Sequence, residues 1–234
     1  MKLKKIASLM LAGVMAVSML AGCQNANVDP EQPTDPETPT VVEGDISDGV
    51  AANIDDLPSY IEFAGDSALS SSLDYVVGFA NVMDLTGGFY ENDLNKIRGG
   101  NAYELQSKLE KAVGVTKWEF RKGQEVNLDL DTIGDREVIL KAEEASTVEI
   151  DDAKAVQLYV ASGVIEEDAL NTLVAEEIEK TIKGYVNVAK FMVGHGNGIY
   201  DHSYTVSVSV DSKEVNGVEA TFVAVQVVRT SVRS

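Results

Sequence analysis

The C-terminal stretch Ser203–Val210, SYTVSVSV, alternates polar and apolar residues, and Val218–Arg229, VEATFVAVQVVR, follows it closely. Strict alternation places the apolar side chains of the first segment on one face of a β-strand. The second segment is apolar on both faces, which is typical of a central strand. Between them, residues 211–217 are rich in polar residues and end in glycine, so we predict a loop. Together they predict a C-terminal β-hairpin.

Three segments before the hairpin have the apolar spacing of helices. The first begins at Asp66, a residue that favours helix N-caps, and is predicted to end near Gly87-Gly88. The second spans 101–114, where Asn101 and Glu104 resemble a capping box and Gly114 marks the end. The third is a long helix with apolar residues every four positions between 170 and 186.

Strand patterns lie between the second and third helices. Residues 116–121, 125–130 and 136–142 are predicted to form an antiparallel meander, while the pattern of 152–161 fits helix and strand equally. The expected fold class is therefore α+β, with helices packed on a mostly antiparallel sheet that ends in the C-terminal β-hairpin.

The N-terminal residues have the pattern of an export signal. Three lysines within Met1–Lys5 precede an uncharged run over Ile6–Ala21, which is short for a membrane span. The run ends in Leu20-Ala21-Gly22-Cys23, which resembles the lipobox of bacterial lipoproteins. Small residues before the cysteine suit a peptidase cleft, and the thiol suits thioether formation.

This resemblance implies a secreted lipoprotein. It implies cleavage between Gly22 and Cys23, which removes residues 1–22 as a signal peptide, and attachment of lipid to Cys23, the single cysteine of the chain. The expected location is the extracytoplasmic face of the cell membrane, because two or more acyl chains anchor a protein stably. The membrane, reached through this lipid, is then the first expected partner.

Composition divides the remainder of the chain. All five prolines lie between Pro30 and Pro58, in a segment rich in acidic residues that contains no lysine or arginine. Such a segment favours an extended chain without a core, so residues 23–58 are predicted to be a disordered tether carrying the lipidated cysteine. Residues 59–234 are predicted to form a single globular α+β domain.

Charge and missing motifs exclude several classes of function. The net charge of −19 disfavours nucleic acid as a partner, because an acidic surface repels phosphates. The sequence contains no GxSxG elbow, P-loop or HExxH motif, and no cysteine outside the lipobox. We therefore predict no cofactor.

One glycine-rich loop carries the candidate transition-metal ligands. His195 lies in Gly194–Gly198, and Asp201 and His202 follow shortly after. Two imidazoles and a carboxylate are the ligands of many catalytic zinc sites. If a strand has begun at Asp201, however, its side chain and that of His202 point to opposite faces and only two ligands converge. We therefore favour a structural loop without metal, and we expect little loss of stability when both histidines are replaced.

A second cluster offers oxygen ligands for calcium. Asp129, Asp131, Asp135 and Glu137 follow Asn127 within a short segment. Calcium requires six to eight oxygens, and the EF-hand spacing fails because Thr132 stands where its glycine is required. Exposed acidic residues on a strand and a turn explain the cluster equally well, so no calcium site is assigned.

The aromatic residues allow a binding surface or a core. Trp118 and Phe120 share one face of a predicted strand, an arrangement that suits sugar binding but more often belongs to a core. Packing is likewise the favoured interpretation of a further four aromatic residues: Tyr75, Phe79, Phe89 and Tyr90.

Three functions remain. The favoured hypothesis is a non-catalytic surface lipoprotein whose domain binds or scaffolds an envelope component, a host molecule or another protein. The alternatives are a secreted hydrolase or metal-dependent enzyme using the His195–His202 region, and the substrate-binding component of a transporter. A deep cleft with converging polar groups would favour the alternatives, and a flat or convex surface would favour the first.

Overall fold

A computed structural model describes residues 44–81, 93–97, 103–121, 124–135, 138–139, 153–191, 198–215 and 217–233 of the chain. The helices are α1 (Ser47–Ala51), α2 (Ser67–Val77), α3 (Tyr103–Val113) and α4 (Glu167–Lys183). The strands are β1 (Ile61–Phe63), β2 (Asn95–Lys96), β3 (Lys117–Arg121), β4 (Gln124–Asn127), β5 (Ala153–Ser162), β6 (Val188–Phe191), β7 (Gly198–Val215) and β8 (Val218–Arg233).

The main sheet has six strands and is mostly antiparallel. Its order is β1-β7-β8-β5-β2, with β6 also paired to β7, and only the β1–β7 pair is parallel. A separate two-stranded sheet consists of β3 and β4. The α+β prediction is confirmed, and so is the C-terminal hairpin, in which β8 lies between β7 and β5 as a central strand.

Each face of the main sheet is covered by helices. One core lies under α1 and α4 and includes Tyr204, Val206 and Val208 of β7. The other lies under α2 and α3 and includes Phe222 and Ala224 of β8. Because side chains alternate along a strand, β8 contributes Val223, Val225 and Val227 to the first core as well. This two-sided burial is why its sequence is apolar on both faces.

The hairpin is longer than its sequence pattern suggests. Residues 211–215, predicted to be loop, continue β7, and the turn is reduced to the two residues between Val215 and Val218. Gly217 has φ of +77°, a value that favours glycine. Polar residues at 211–214 belong to strand because they lie where one end of the sheet is exposed to solvent.

The outer edge of β7 is satisfied along its length by short segments. The His202 and Tyr204 amides donate to the carbonyls of Asn187 and Tyr60, and further along the edge other segments pair in turn. These later bonds join Ala64 to Val206, Ile46 to Val208, the Ser47 hydroxyl to Val208, and Val210 to Gly44. Several elements distant in sequence thus meet on one strand edge.

The predicted tether includes residues that belong to the domain. Ile46, Val50 and Ile54 are buried in the core, and a bridge joins Asp45 to Ser209. The boundary predicted at residue 59 is therefore wrong, and a compact unit covers Thr40–Ser234. The acidic composition concealed three apolar residues at helical spacing, which become stable only by packing on α4 and β7.

The helix predictions are confirmed with changed ends. Asp66 caps α2 by accepting hydrogen bonds from the Ala68 and Leu69 amides, but the helix ends at Val77 rather than near Gly87-Gly88. Lys213 donates to carbonyls at the C-terminal end of α2, those of Val77, Gly78 and Ala80. The second and third predicted helices are α3 and α4, and the undecided segment 152–161 is strand β5.

The third strand of the predicted meander is wrong where the structure describes it. Val138 and Ile139 are helical, the Val138 amide donates to the Asp135 carboxylate at 2.9 Å, and Ile139 donates to the Asp135 carbonyl. An aspartate that caps a helical turn outweighs the strand preference of the following residues. Across the described segments, no helix is long and apolar enough to cross a membrane.

Candidate functional site

A cleft of about 570 Å³ opens between α3, β2, β4 and the turn that follows β4. Hydrogen-bonding side chains make up most of its lining, with a few apolar residues between them. The lining residues are Lys96, Ile97, Tyr103, Gln106, Glu110, Lys117, Glu125, Val126, Asn127, Leu128, Asp129, Asp131 and Gln157. Its volume suits a small ligand or a short segment of a larger one.

Two buried glutamines form the base of the cleft. Gln106 accepts a hydrogen bond from the Leu158 amide at 2.7 Å and donates to the Val156 carbonyl at 3.0 Å. The side-chain amide of Gln106 thereby forms the hydrogen bonds that a neighbouring strand would form along the edge of β5. Gln157 donates to the carbonyl of Ile97, which itself pairs with Leu158. These bonds hold the base of the cleft in one arrangement.

Glu110 connects the base to the wall of the cleft. One of its carboxylate oxygens accepts from Gln106 at 2.9 Å, and the other accepts from Asn127 of β4 at 2.7 Å. Helix α3 and strand β4 are thus joined across the cleft by a single carboxylate. Because both oxygens already accept hydrogen bonds, Glu110 is suited to positioning its neighbours.

The remaining charged side chains are distributed around the rim. Lys96 pairs with Asp131 at 3.0 Å, and Lys117 pairs with Glu125 at 3.8 Å. The lining includes two lysines and four carboxylates, so it carries more negative than positive charge. Tyr103, whose side chain is 52 % exposed, adds an aromatic ring at the mouth. The site can therefore form many hydrogen bonds, but it disfavours anions.

The calcium candidates have separate local roles. Asp129 accepts from the amide and hydroxyl of Thr132, Asp131 pairs with Lys96, and Asp135 caps the helical turn at 138. Glu137 lies outside the described residues. Each of the three described carboxylates stabilises its own turn or an ion pair, which explains the acidic cluster without a metal.

The transition-metal candidates do not converge where they can be located. His195 lies outside the described residues, and β7 has begun by Asp201, whose side chain is exposed while that of His202 is buried. The opposite orientation expected for this pair is confirmed. Over the described residues, no group of three or more histidine, cysteine, aspartate or glutamate side chains could hold a metal ion.

His202 has a structural environment instead. It is 3 % exposed, its Nδ1 atom lies 2.9 Å from the Ser231 hydroxyl, and its Nε2 atom has no hydrogen-bond partner within the described structure. Burial lowers the pKa of His202 to about 4, and the nearby Arg229 adds to this effect. The histidine is therefore neutral at neutral pH. The expectation that replacing both histidines changes stability little stays a prediction, and the burial of His202 argues against it.

The aromatic candidates divide between core and surface. Trp118 is partly buried against the core beneath α4, as packing predicts, whereas the Phe120 side chain lies outside the described residues. The packing prediction is wrong for Tyr75 and Phe79, which are 60 % and 53 % exposed and contact each other edge to face at 5.0 Å. Phe89 and Tyr90 lie outside the described residues, as do Gly22 and Cys23 of the predicted lipobox.

Most of the cleft residues were missed at the sequence level because nothing in their spacing resembles a known motif, and Asn127, Asp129 and Asp131 were singled out only as calcium candidates. Gln106 offered the only signal, since a glutamine beside Leu105 on the apolar stripe of a helix must find hydrogen-bond partners when buried. Tyr103 carried no such signal. Comparison of the chain with protein-family models, curated proteins and solved structures finds no match.

Proposed function

We propose that this chain is a lipid-anchored extracytoplasmic protein that binds a polar ligand in the cleft between α3, β2 and β4. The open cleft with a hydrogen-bonding lining is the observation that carries the binding function. The lipobox pattern, Leu20 to Cys23, supports the anchor. Lipid on Cys23 would keep the domain at the membrane surface, where ligands outside the cell are within reach.

The state of the acidic side chains favours binding over hydrolysis. Glu110 is engaged by two side-chain amides, Asp131 by a lysine and Asp129 by Thr132. A hydrolase acting through two carboxylates needs one of them to protonate the leaving group and the other to attack or activate water. Carboxylates held by neighbours in this way are better suited to orienting lining groups.

The open form of the cleft also favours the proposed binding function over a transporter component. The cleft lies on one side of the unit Thr40–Ser234, beside a two-stranded sheet. A transporter component that encloses a small solute would bury most of the surface of its ligand. An open cleft is better matched to a part of a larger ligand.

The anchor is tested by replacing its cysteine. Cells expressing the Cys23→Ala chain should incorporate no radiolabelled palmitate into the protein, and unprocessed precursor should accumulate. The unaltered chain should be labelled and found in the membrane fraction. Palmitate incorporation that persists in Cys23→Ala would disprove the lipid site.

The cleft is tested with the mature chain from residue 23 carrying Cys23→Ser, which is free of lipid. Its binding is measured against an array of bacterial-envelope and host glycans and against a phage-displayed library of random dodecapeptides. Tyr103→Ala should weaken the binding of selected probes roughly tenfold, since a contact worth about 1.4 kcal/mol is lost.

Tyr75→Ala is the matched control, because Tyr75 is a similarly exposed tyrosine outside the cleft lining. Its binding should equal that of the Cys23→Ser chain. If no probe binds, or if both tyrosine variants bind equally well, the cleft is not the binding site.

A further inference from the structure

All four residues of strand β4 are exposed. It pairs with β3 alone, and the described β3–β4 sheet has no third strand. Isolated two-stranded hairpins are only marginally stable in water, and a third strand is the usual means of stabilising them. Among the described residues, β4 therefore has an edge to which another strand could add.

The register of the hairpin identifies the free backbone groups. The Leu128 amide donates to the Thr116 carbonyl, and Trp118 lies opposite Val126. Hydrogen-bonded and non-hydrogen-bonded positions alternate in an antiparallel pair, so Val126 and Leu128 direct their backbone groups toward β3. Glu125 and Asn127 direct theirs to the opposite edge. No hydrogen bond to the backbone of either residue is found within the described part of the chain.

This free edge borders the cleft. Three consecutive residues of β4, Glu125 to Asn127, line it, although successive side chains of a strand point to opposite faces. Consecutive strand residues can line one cleft only if the strand presents its edge to it. The length of this wall, about 10 Å at roughly 3.3 Å per residue, matches an extended segment of about three residues.

We infer that the ligand of the cleft is an extended peptide segment, without net negative charge, that adds as a third strand to the free edge of β4. This inference rests on the proposed binding function and specifies its ligand. Main-chain hydrogen bonds to Glu125 and Asn127 would provide affinity. The excess of carboxylates in the lining and the net charge of −19 favour neutral or basic peptides over acidic ones.

A pair of variants at one position tests the strand addition. Glu125→Pro removes the edge amide and places a ring on the edge, whereas Glu125→Gln keeps the amide and removes the same charge. Both are made in the chain carrying Cys23→Ser and tested with peptides selected from the dodecapeptide library. Glu125→Pro should lose at least roughly tenfold in affinity relative to Glu125→Gln, because an edge hydrogen bond is lost and the ring obstructs the added strand.

A change on the peptide keeps the test valid if Glu125→Pro does not fold. A selected peptide whose backbone amides are methylated at alternate positions retains its side chains but loses the donors of one edge. One of its two methylation patterns should abolish binding to the unaltered cleft, and the other should leave binding largely intact. Equal binding by both patterns would exclude strand pairing.

Amide hydrogen exchange followed by NMR gives a direct measure of register. On peptide binding, the amides of Glu125 and Asn127 should become protected, whereas those of Val126 and Leu128, already directed to β3, should change little. Equal changes at all four amides would contradict the pairing.

The possible results separate the two proposals. Glycan probes that bind and are weakened by Tyr103→Ala would leave the binding function intact and overturn the peptide ligand. Selected peptides that tolerate Glu125→Pro in a folded chain would do the same. Probes insensitive to every cleft variant would overturn both proposals.

Discussion

Two hairpins of this domain, β7–β8 and β3–β4, are built from similar antiparallel ladders but differ in what surrounds them. Strand β8 is buried on both faces, and the outer edge of β7 is satisfied by segments from α1, β1 and the start of β6. Strand β4 is exposed over its whole length, and its outer edge pairs with no strand among the described residues. Unpaired edges invite pairing with other chains, and proteins usually protect them. The contrast separates a structural hairpin from one suited to binding.

The opposite edge of the main sheet shows how such protection is achieved here. Strand β2 pairs with only two residues of β5, and the Gln106 side chain and Thr116 satisfy the positions beyond them. Side chains thus protect β5 where no strand is available. The β4 edge, a short distance along the chain, has no equivalent within the described residues, although exposed polar residues surround it.

The largest effect should come from the core of the C-terminal hairpin. Phe222 is fully buried in β8, and Phe222→Ala should lower the free energy of unfolding by about 3–5 kcal/mol, since it removes a large apolar side chain and leaves a cavity. Val126→Ala in the exposed β4 should cost less than about 0.5 kcal/mol. Urea denaturation of both variants measures the difference, and similar losses would remove the energetic distinction between the hairpins.

The next effect depends on pH and involves only the C-terminal hairpin. The pKa of His202 is about 4 in the folded protein and about 6.5 in an unfolded chain. Between these values the unfolded chain binds a proton that the folded protein does not, so stability should fall as pH falls from about 6.5 to 4. The total loss is on the order of 3 kcal/mol, and it levels off below pH 4.

His202→Gln is the control for this pH dependence, because it retains a polar side chain of similar size that does not titrate. The unfolding free energy of the unaltered protein minus that of His202→Gln should decline over the same pH window. Carboxylates that titrate in both proteins cancel in this difference. A difference that is constant from pH 7 to pH 4 would show that protonation of the buried imidazole does not destabilise the folded protein.

A smaller effect should appear where the main sheet meets the cleft. Gln106→Leu leaves the Leu158 amide and the Val156 carbonyl without their partner and should cost about 1–3 kcal/mol. Gln124→Leu, at an exposed position of β4, should change stability by less than about 0.5 kcal/mol. Thermal or urea unfolding measures both. If Gln106→Leu leaves the free energy of unfolding unchanged, water forms the hydrogen bonds to the backbone groups at the edge of β5.

The smallest effect concerns the surface of the β3–β4 hairpin. The Lys117–Glu125 pair is long, at 3.8 Å, and both side chains are more than half exposed. Solvent screens such a pair, so Glu125→Gln should alter the unfolding free energy by no more than a few tenths of a kcal/mol. A loss above about 1 kcal/mol would show that β4 depends on this ion pair.

Sequence reasoning was most successful where burial imposes a regular pattern. The alternation at 203–210 and the two-sided apolar run at 218–229 gave the hairpin, and four-residue spacing gave α4. It failed at Ile46 and Val50, which lie in a short segment that looks polar and acidic. A one-turn helix has too few residues to show a period, and its stability comes from residues distant in sequence.

The candidate site was less accessible to sequence reasoning than the fold. The histidine and aspartate clusters drew attention by composition, but the structure gives Asp129, Asp131, Asp135 and His202 local roles. The cleft brings Asp129 and Asp131 together with Lys96 and Gln106, to which no motif connects them. Chemistry that depends on proximity between separate elements leaves no fixed spacing in the sequence.

The sequence by itself determined the α+β class, the central position of β8 and the lipobox pattern that predicts an anchor at Cys23, because burial and processing each act on short contiguous stretches. The tertiary structure alone decided where the domain begins, which way His202 faces and which strand edge remains free. Each of these depends on which distant segment occupies a neighbouring position. A strand has the same local pattern whether its edge is paired or open, so only the folded chain reveals the open edge of β4.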